Sequence, residues 1–352
     1  PRAPSPHDVD PPDAPGRDPG GPRCVPVAGP AARRSFPTCN SLHEVDPGVS
    51  VWDGGGAVPP PPRYLDGGHW RDAWRFGGVT KSAVLKTLRF DREHDDGAFE
   101  RHRIDALLME RLTGSPYVGE VHGFCGNSVV NEFGAASGRD WRHLKVAVGD
   151  RLRRAAQAAA GVADVHGLDF SAGQEGKRAP VAPAVVHLDV KPGNFIFTAD
   201  NTMKLHDFNL ARFLEADVAT GARCDMERLD CNIYRSPEEC TGSTRLNEKV
   251  DVYGLGGFIY ELLTQRKPFY YDGGQPLQGE GRFPTVPPRF RESNGTAHRA
   301  LVWAIDRCFH LDPHDRASAR EISDVLMGAV ATVNAEMQRA AERTTATAPR
   351  TG

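Results

Sequence analysis

The sequence has no long hydrophobic run and no strong net charge, and these two absences restrict its possible functions. Its longest mostly apolar stretch, VDVYGLGGFIYELL at residues 250–263, is too short to cross a bilayer and predicts a buried helix instead. A formal net charge of -3 over 352 residues provides no basic field that would attract nucleic acid. We therefore expect no membrane-spanning segment and no nucleic-acid partner.

The sequence also lacks any C-x-x-C pair among its seven cysteines, which argues against a zinc ribbon or a redox dithiol. Free and partly buried thiols are the simplest expectation. Cys224, Cys231 and Cys240 lie close together along the chain, however, and two of them could form a disulfide in an oxidising compartment. The compartment stays open between the cytoplasm, taken as the default, and the lumen of the secretory pathway.

The composition changes along the chain and suggests four parts. Residues 1–62 contain more than half of the 28 prolines and no helical or strand period, which predicts a disordered segment or linker. Residues 63–134 contain strand-like pieces around one helical stripe and predict a small β-rich lobe. Residues 135–332 are mainly helical in pattern, and residues 333–352 form a polar tail expected to fray. The expected fold class is α+β, with a larger carboxy-terminal lobe.

A tight polar loop interrupts two apolar strands in VVHLDVKPGNFIF at residues 185–197 and carries Asp189, Lys191 and Asn194. Further along the chain, KLHDFNLAR supplies Asp207. Loops held by rigid strands often carry catalytic groups. Two carboxylates and an amide that converge from neighbouring loops provide the oxygen ligands that Mg²⁺ and phosphoryl transfer require.

These motifs resemble those of the eukaryotic protein kinases. HLDVKPGN resembles the H-R-D-x-K-x-x-N catalytic loop, DFN resembles D-F-G, YRSPEE resembles the A-P-E motif, and AVLK resembles V-A-I-K. DVYGLG and LDPHDRAS follow in the family's order. The resemblance covers roughly residues 64–330 and implies the bilobal protein-kinase fold, with ATP and Mg²⁺ as cofactors.

The resemblance also implies a role for each residue that matches a family motif. Catalysis would depend on two lysines and one aspartate, while ATP and metal would be held by the remaining residues. By resemblance, Lys86 binds the α- and β-phosphates, Asp189 accepts the proton of the substrate hydroxyl, Lys191 lies near the γ-phosphate, Asn194 and Asp207 hold Mg²⁺, Glu132, Phe133 and Gly134 contact adenine through backbone groups, and Gly68 belongs to the glycine loop.

Other matched residues are expected to stabilise the architecture. His187 would support the catalytic loop from below, and Asp251 would anchor the start of a helix by accepting backbone N–H groups. Glu238 and Arg316 would form a partly buried ion pair.

Two sites depart from the family pattern. The glycine loop reads DGGHWRDAW, in which only Gly68 is a matched glycine, so the phosphate clamp is expected to be weaker. The helical carboxylate that should pair with Lys86 falls at Asp105, whose side chain is short; Glu100 and Glu110 are the alternatives.

The segment after DFN also departs from the pattern. Leu188 replaces the arginine that would bind a phosphorylated residue, and Thr220 is the one hydroxyl side chain between Asn209 and Tyr234. Asn209 replaces the D-F-G glycine, and asparagine tolerates unusual backbone angles. We expect activity that does not depend on phosphorylation of this segment.

The resulting interpretation is an ATP-dependent protein kinase that transfers the γ-phosphate to a Ser or Thr hydroxyl of a protein substrate. Lys191, two residues after Asp189, is typical of Ser/Thr-directed members. Two alternatives remain open: a pseudokinase that acts as a nucleotide-binding or protein-interaction module, and a kinase of a sugar or other small molecule on the same fold. The altered glycine loop and Asp105 favour the pseudokinase, while the matched lysine, aspartates and asparagine favour the enzyme.

Overall fold

The computed structural model describes residues 24–26, 61–77, 82–140, 146–168, 183–227 and 229–346. Most of the amino-terminal segment predicted to be disordered lies outside these residues, but Cys24–Pro26 forms a strand, β1. The last helix continues to Ala346 and so includes most of residues 333–352, for which we predicted a frayed tail. Its sequence NAEMQRAAER consists largely of strong helix formers, and this propensity outweighs its polarity.

The amino-terminal lobe is built on a five-stranded antiparallel sheet of order β2-β3-β4-β6-β5. Alternating apolar residues such as Phe76, Ala83 and Val130 point into a small core on one side of it. The strands are β2 (Arg63–Gly67), β3 (Arg71–Gly77), β4 (Ser82–Leu88), β5 (Val121–Cys125) and β6 (Ser128–Glu132). Lys86 lies on the central strand β4, opposite Ala73 of β3 and Val129 of β6.

A single long helix, α1 (Asp96–Arg111), accompanies this sheet. It begins at Asp95, whose carboxylate accepts the backbone N–H of Ala98 at 2.7 Å and so caps the first turn. The predicted apolar stripe is confirmed, because Ile104, Leu107, Leu108 and Leu112 are all buried. Asp105 is buried with them.

The carboxy-terminal lobe is mainly helical, which together with the sheet confirms the α+β fold class. Within the described part of the chain, none of its helices combines the length and apolarity of a bilayer span. The helices are α2 (Val148–His166), α3 (Pro237–Cys240), α4 (Lys249–Thr264), α5 (Pro288–Arg291), α6 (Thr296–Cys308) and α7 (Ala319–Ala346). Helix α4 is buried along nearly its whole length, as its apolar sequence predicted.

Short antiparallel strands position the polar loops. The strands are β7 (Ala136–Ser137), β8 (Val185–Val186), β9 (Phe195–Phe197), β10 (Met203–Leu205), β11 (Arg212–Phe213) and β12 (Glu215–Asp217). Strand β9 pairs with β10 and β7, while β8 pairs with β11. The loop from β8 to β9 and the loop from β10 to β11 therefore emerge next to each other.

Disulfides connect the segment after β11 to other parts of the chain, so the expectation of free thiols was wrong. Strand β1 pairs with β12 and so brings Cys24 next to Cys224. These two cysteines form a disulfide, although 200 positions separate them along the chain. Cys231 and Cys240, two of the three clustered cysteines, form a second bridge. Among the described residues, Cys308 is the free cysteine, and it is buried.

We expect the variant Cys24→Ser/Cys224→Ser to lose about 2–4 kcal/mol of unfolding free energy, because this bridge restricts a very long loop in the unfolded chain. Denaturant titration of oxidised protein measures the loss. The matched control is Cys231→Ser/Cys240→Ser, whose bridge closes a loop with a separation of only 9 and should cost less. Identical denaturation midpoints for the wild type and the first variant would contradict this expectation.

Candidate active site

The loop from β8 to β9 brings three of the predicted site residues into direct contact. The Nζ of Lys191 lies 2.7 Å from Oδ2 of Asp189. The side-chain amide of Asn194 donates to the same Oδ2 at 2.7 Å and to the backbone carbonyl of Asp189 at 2.8 Å. Asn194 ends a single 3₁₀ turn that begins at Pro192, and this turn bends the loop back onto the aspartate. We call the segment 187–194 the catalytic loop.

Asp251 of α4 holds the catalytic loop in a strained conformation. Leu188 has a φ of 61°, a left-handed value that leucine rarely adopts. Asp251 of α4 compensates by accepting the backbone N–H groups of His187 and Leu188 at 2.7 and 2.8 Å. His166 also contacts this carboxylate, at 3.0 Å. Asp251 was correctly predicted to bind backbone N–H groups, but these belong to the catalytic loop rather than to its own helix.

Asp207 lies on the neighbouring loop and is ionised. Burial alone would raise the pKa of its carboxyl, but nearby positive charges, that of Lys86 first, hold the pKa well below its usual range. The side-chain amide of Asn209 donates a hydrogen bond to Oδ1 of Asp207. Asp207 has a φ of 69°, so this loop is strained as well.

Two histidines, His187 and His206, lie beside these loops. Burial, with the charge of Lys86, lowers the pKa of His206 to about 4. The ring of His187 packs against Phe208 with 4.7 Å between ring centroids, and its Nδ1 accepts the backbone N–H of Asp189 at 3.2 Å. The predicted supporting role of His187 is thus confirmed.

None of the three carboxylates proposed as partners of Lys86 binds it among the described ion pairs. Asp105 is engaged by Arg71, whose Nη2 lies 2.5 Å from its Oδ2. Glu100 binds Arg103 at 2.7 Å, one turn along the same helix. Glu110 is exposed. The placement of the Lys86 partner at Asp105 was wrong because a longer cation on the adjacent strand reaches this carboxylate.

A cleft of about 240 Å³ lies between the lobes, and Lys86 lines it. The predicted adenine-contact residues Glu132, Phe133 and Gly134 line it too. Gly134 packs so tightly that an added Cβ would come within 2.6 Å of Cβ of Ile196, so the segment needs glycine here. A mostly apolar cleft with a few polar groups is typical of a nucleotide site.

Gly68 does not line this cleft, and neither do Asp189, Lys191, Asn194 and Asp207, although Gly193 and His206 beside them do. Its backbone N–H donates to the carbonyl of Arg71 at 2.8 Å, and its own carbonyl accepts from Arg89 at 3.1 Å. Trp70 at the loop tip packs against the guanidinium groups of Arg92 and Arg101, 5.3 and 5.7 Å from its ring centroid. The loop tip is thus held against the arginines.

Sequence reasoning missed two arginines, Arg71 and Arg235. Arg235 donates to the backbone carbonyl of Leu188, binds Glu239 at 3.1 Å, and reaches Oδ1 of Asp189 at 3.4 Å. Its position inside YRSPEE, beside the matched residues, was the one available signal.

The ion pair between Glu238 and Arg316 is confirmed. Two parallel hydrogen bonds of 2.7 Å join the guanidinium to the carboxylate, and the Arg316 side chain is fully buried. The pair attaches α3, at the end of the segment that follows β12, to the turn that precedes α7. A buried bidentate pair of this kind is costly to break on one side.

Comparison with known proteins agrees with this arrangement. A family model described as the protein kinase domain matches residues 182–325. The serine/threonine-protein kinase Nek2 of Mus musculus is 32% identical over 166 residues, which cover 46% of this chain and 34% of the relative. The serine/threonine-protein kinase PknA of Mycobacterium tuberculosis is 28% identical over 195 residues, which cover 55% and 43%.

The match therefore spans less than half the length of these curated relatives. The family model nevertheless includes the catalytic loop, the loop of Asp207 and the ion pair between Glu238 and Arg316. All of them follow in the order that the motifs predicted. Residues 182–325 are therefore similar to the protein kinase domain, and the chain is similar to serine/threonine-protein kinases.

Proposed function

We propose that this chain is an active kinase that transfers the γ-phosphate of ATP to a Ser or Thr hydroxyl of a protein substrate. The observation that carries the proposal is the convergence of Lys191 and Asn194 on one oxygen of Asp189, at 2.7 Å each. Such positioning of a carboxylate is what phosphoryl transfer needs, because the reaction depends mainly on orientation and charge neutralisation.

Asp189 is the group that would orient the substrate hydroxyl and accept its proton. Its two oxygens are held by different partners: Lys191 and Asn194 contact Oδ2, and Arg235 lies 3.4 Å from Oδ1. The fixed carboxylate can therefore meet a hydroxyl without first reorganising.

Asn194 and Asp207 fit the requirements of a Mg²⁺ site. The amide nitrogen of Asn194 is used in bonds to Asp189, which leaves its carbonyl oxygen as the group that can meet a cation. Asp207 remains a carboxylate because its pKa is held low. Hard cations prefer such oxygen ligands, and bound Mg²⁺ would neutralise charge on the phosphates.

The Ser/Thr preference is supported by Lys191 and by the named relatives. The lysine binds Asp189 directly, so it is positioned beside the group that meets the substrate hydroxyl. Both relatives reported above carry the name serine/threonine-protein kinase.

A pseudokinase is the second candidate, and specific observations favour it. Lys86 lacks a carboxylate partner on α1, since Asp105 binds Arg71 instead. The glycine loop is held by Arg89 and does not line the cleft at Gly68. Activity measurements on the variants below separate the two candidates.

We expect Asp189→Asn to lower kcat by roughly 100-fold or more, because a general base contributes about 10²–10⁴, while the Kd for Mg²⁺-ATP stays nearly unchanged. Asp207→Ala should instead weaken Mg²⁺-ATP binding. Transfer of labelled phosphate to a generic protein substrate and calorimetric titration measure the two effects. Asp324→Asn, on the exposed face of α7, is the matched control. Equal activity in all four proteins would reject the enzyme.

The segment from β11 to α3, which we call the activation segment, has contacts that do not need a phosphate. Glu227 lies 3.3 Å from Arg212 and 3.7 Å from Arg101 of α1, so a carboxylate already meets the cations available there. The hydroxyl of Thr220 donates to Asp217 at 2.7 Å within a turn. Leu188 offers no charge for a phosphate.

We therefore expect phosphatase-treated protein to keep its full activity, and Thr220→Ala to change kcat/KM less than twofold or so, since exposed polar contacts contribute little. Phosphate transfer before and after the treatment is the measurement, and mass spectrometry verifies that no phosphate remains. A loss of tenfold or more in either experiment would show that the segment needs phosphorylation.

A further inference from the structure

Arg71 stands where the family's glycine-loop motif has its third glycine, and its side chain turns into the protein. It is the first residue of β3, directly after the loop tip. Only 5% of its surface is exposed. Arginine is almost never buried to this extent without charged partners, so its surroundings should explain its presence.

The guanidinium of Arg71 connects three separate elements. Its Nη2 donates to Oδ2 of Asp105 on α1 at 2.5 Å and to the side-chain carbonyl of Asn209 at 2.7 Å. The other oxygen of Asp105 accepts the backbone N–H of Phe208 at 2.8 Å. The amide of Asn209 in turn donates to Asp207. We call these contacts the Arg71 clamp.

The clamp accounts for two departures from the family pattern at once. The short carboxylate of Asp105 pairs with Arg71 on the next strand rather than with Lys86, because the long arginine side chain reaches it through Nη2. Asparagine in place of the D-F-G glycine supplies both an acceptor for Arg71 and a donor for Asp207. Glycine at this position could provide neither bond.

The charges make the clamp selective for one arrangement. Asp105 is completely buried, and without Arg71 its charge would have no cation within the described ion pairs. If α1 moved away or Asp207 turned over, the buried groups would lose their partners.

We propose that Arg71 is the positioning residue that holds α1 and the residues Asp207–Asn209 in the arrangement needed to bind Mg²⁺-nucleotide. It would thereby take over the task that a lysine–carboxylate pair performs in related kinases. Lys86 would then interact with Asp207 and the phosphates without a carboxylate partner on α1. The catalytic role of Arg71 rests on the proposed function, but the effect of Arg71 on the structure can be measured without turnover.

The first test compares nucleotide binding by Arg71→Gly, which restores the family's glycine, with binding by Arg71→Lys and by the wild type. We expect the Kd for Mg²⁺-ATP to rise roughly tenfold or more in Arg71→Gly, the loss of one or two charged hydrogen bonds. Adenosine affinity should change less than about twofold, since the clamp acts on the phosphate end. Arg71→Lys should recover part of the loss, because one cation can still meet Asp105.

A second variant tests the clamp while Arg71 and its pair with Asp105 stay in place, so the test does not depend on the folding of Arg71→Gly. Asn209→Ala removes the link between Arg71 and Asp207 but keeps the pair with Asp105, and its expected effect on Mg²⁺-ATP has the same direction. The double variant Arg71→Gly/Asn209→Ala should be no worse than Arg71→Gly alone, since both break one chain of contacts. Arg63→Gly, at an exposed position of β2, is the control for a glycine in this sheet and should bind like the wild type.

Hydrogen exchange of the nucleotide-free protein gives a readout that is independent of ligand. We expect faster exchange in residues 96–111 and 207–209 of Arg71→Gly and unchanged exchange in α4. Wild-type exchange in these residues, or an equal loss of ATP and adenosine affinity, would overturn the inference. If the wild type transfers no phosphate while the exchange and binding effects appear, the proposed function fails and the clamp stands.

Discussion

The carboxylate of Asp251 accepts two consecutive backbone N–H groups of the catalytic loop, at 2.7 and 2.8 Å, from inside a buried helix. These bonds hold Leu188 at a left-handed φ of 61°, a conformation that the chain would otherwise leave. The orientation of Asp189 follows from this turn, and so does the position of Asn194, which bonds back to Asp189. The helix that supplies Asp251 is buried along almost its whole length, so the anchor itself cannot shift without disturbing the core.

Charged side chains position the amino-terminal side of the site. Lys86 stands on a central strand, where cross-strand neighbours on both sides fix its backbone. Arg71 and Asp105 form a buried pair beside it. Asn209 accepts a hydrogen bond from Arg71 and donates one to Asp207. A buried pair contributes little net stability, but it specifies one arrangement strongly, because each partner is costly when left alone.

Short-range patterns predicted the parts of the site that lie close along the chain. The spacing of Asp189 and Asn194 identified the catalytic loop, and the helical stripe through Leu108 identified the core face of α1. The partner of Asp105 was missed because side-chain reach between β3 and α1 decides it, and no spacing in the sequence records that distance. The Cys24–Cys224 bridge was missed for the same reason, since it depends on how β1 pairs with a remote strand.

The Cys24–Cys224 and Cys231–Cys240 disulfides make the activation segment, but not the catalytic loop, dependent on oxidising surroundings. Strand β1 is only three residues long and pairs with a strand of equal length, so its hydrogen bonds alone hold the segment weakly. The Cys24–Cys224 bond adds a covalent link at one end, and Cys231–Cys240 adds another near α3. Disulfides persist in oxidising surroundings and are lost in reducing ones. In reducing surroundings the segment would keep its carboxylate–arginine contacts but lose both covalent links, while the Asp251 anchor of the catalytic loop would be unaffected.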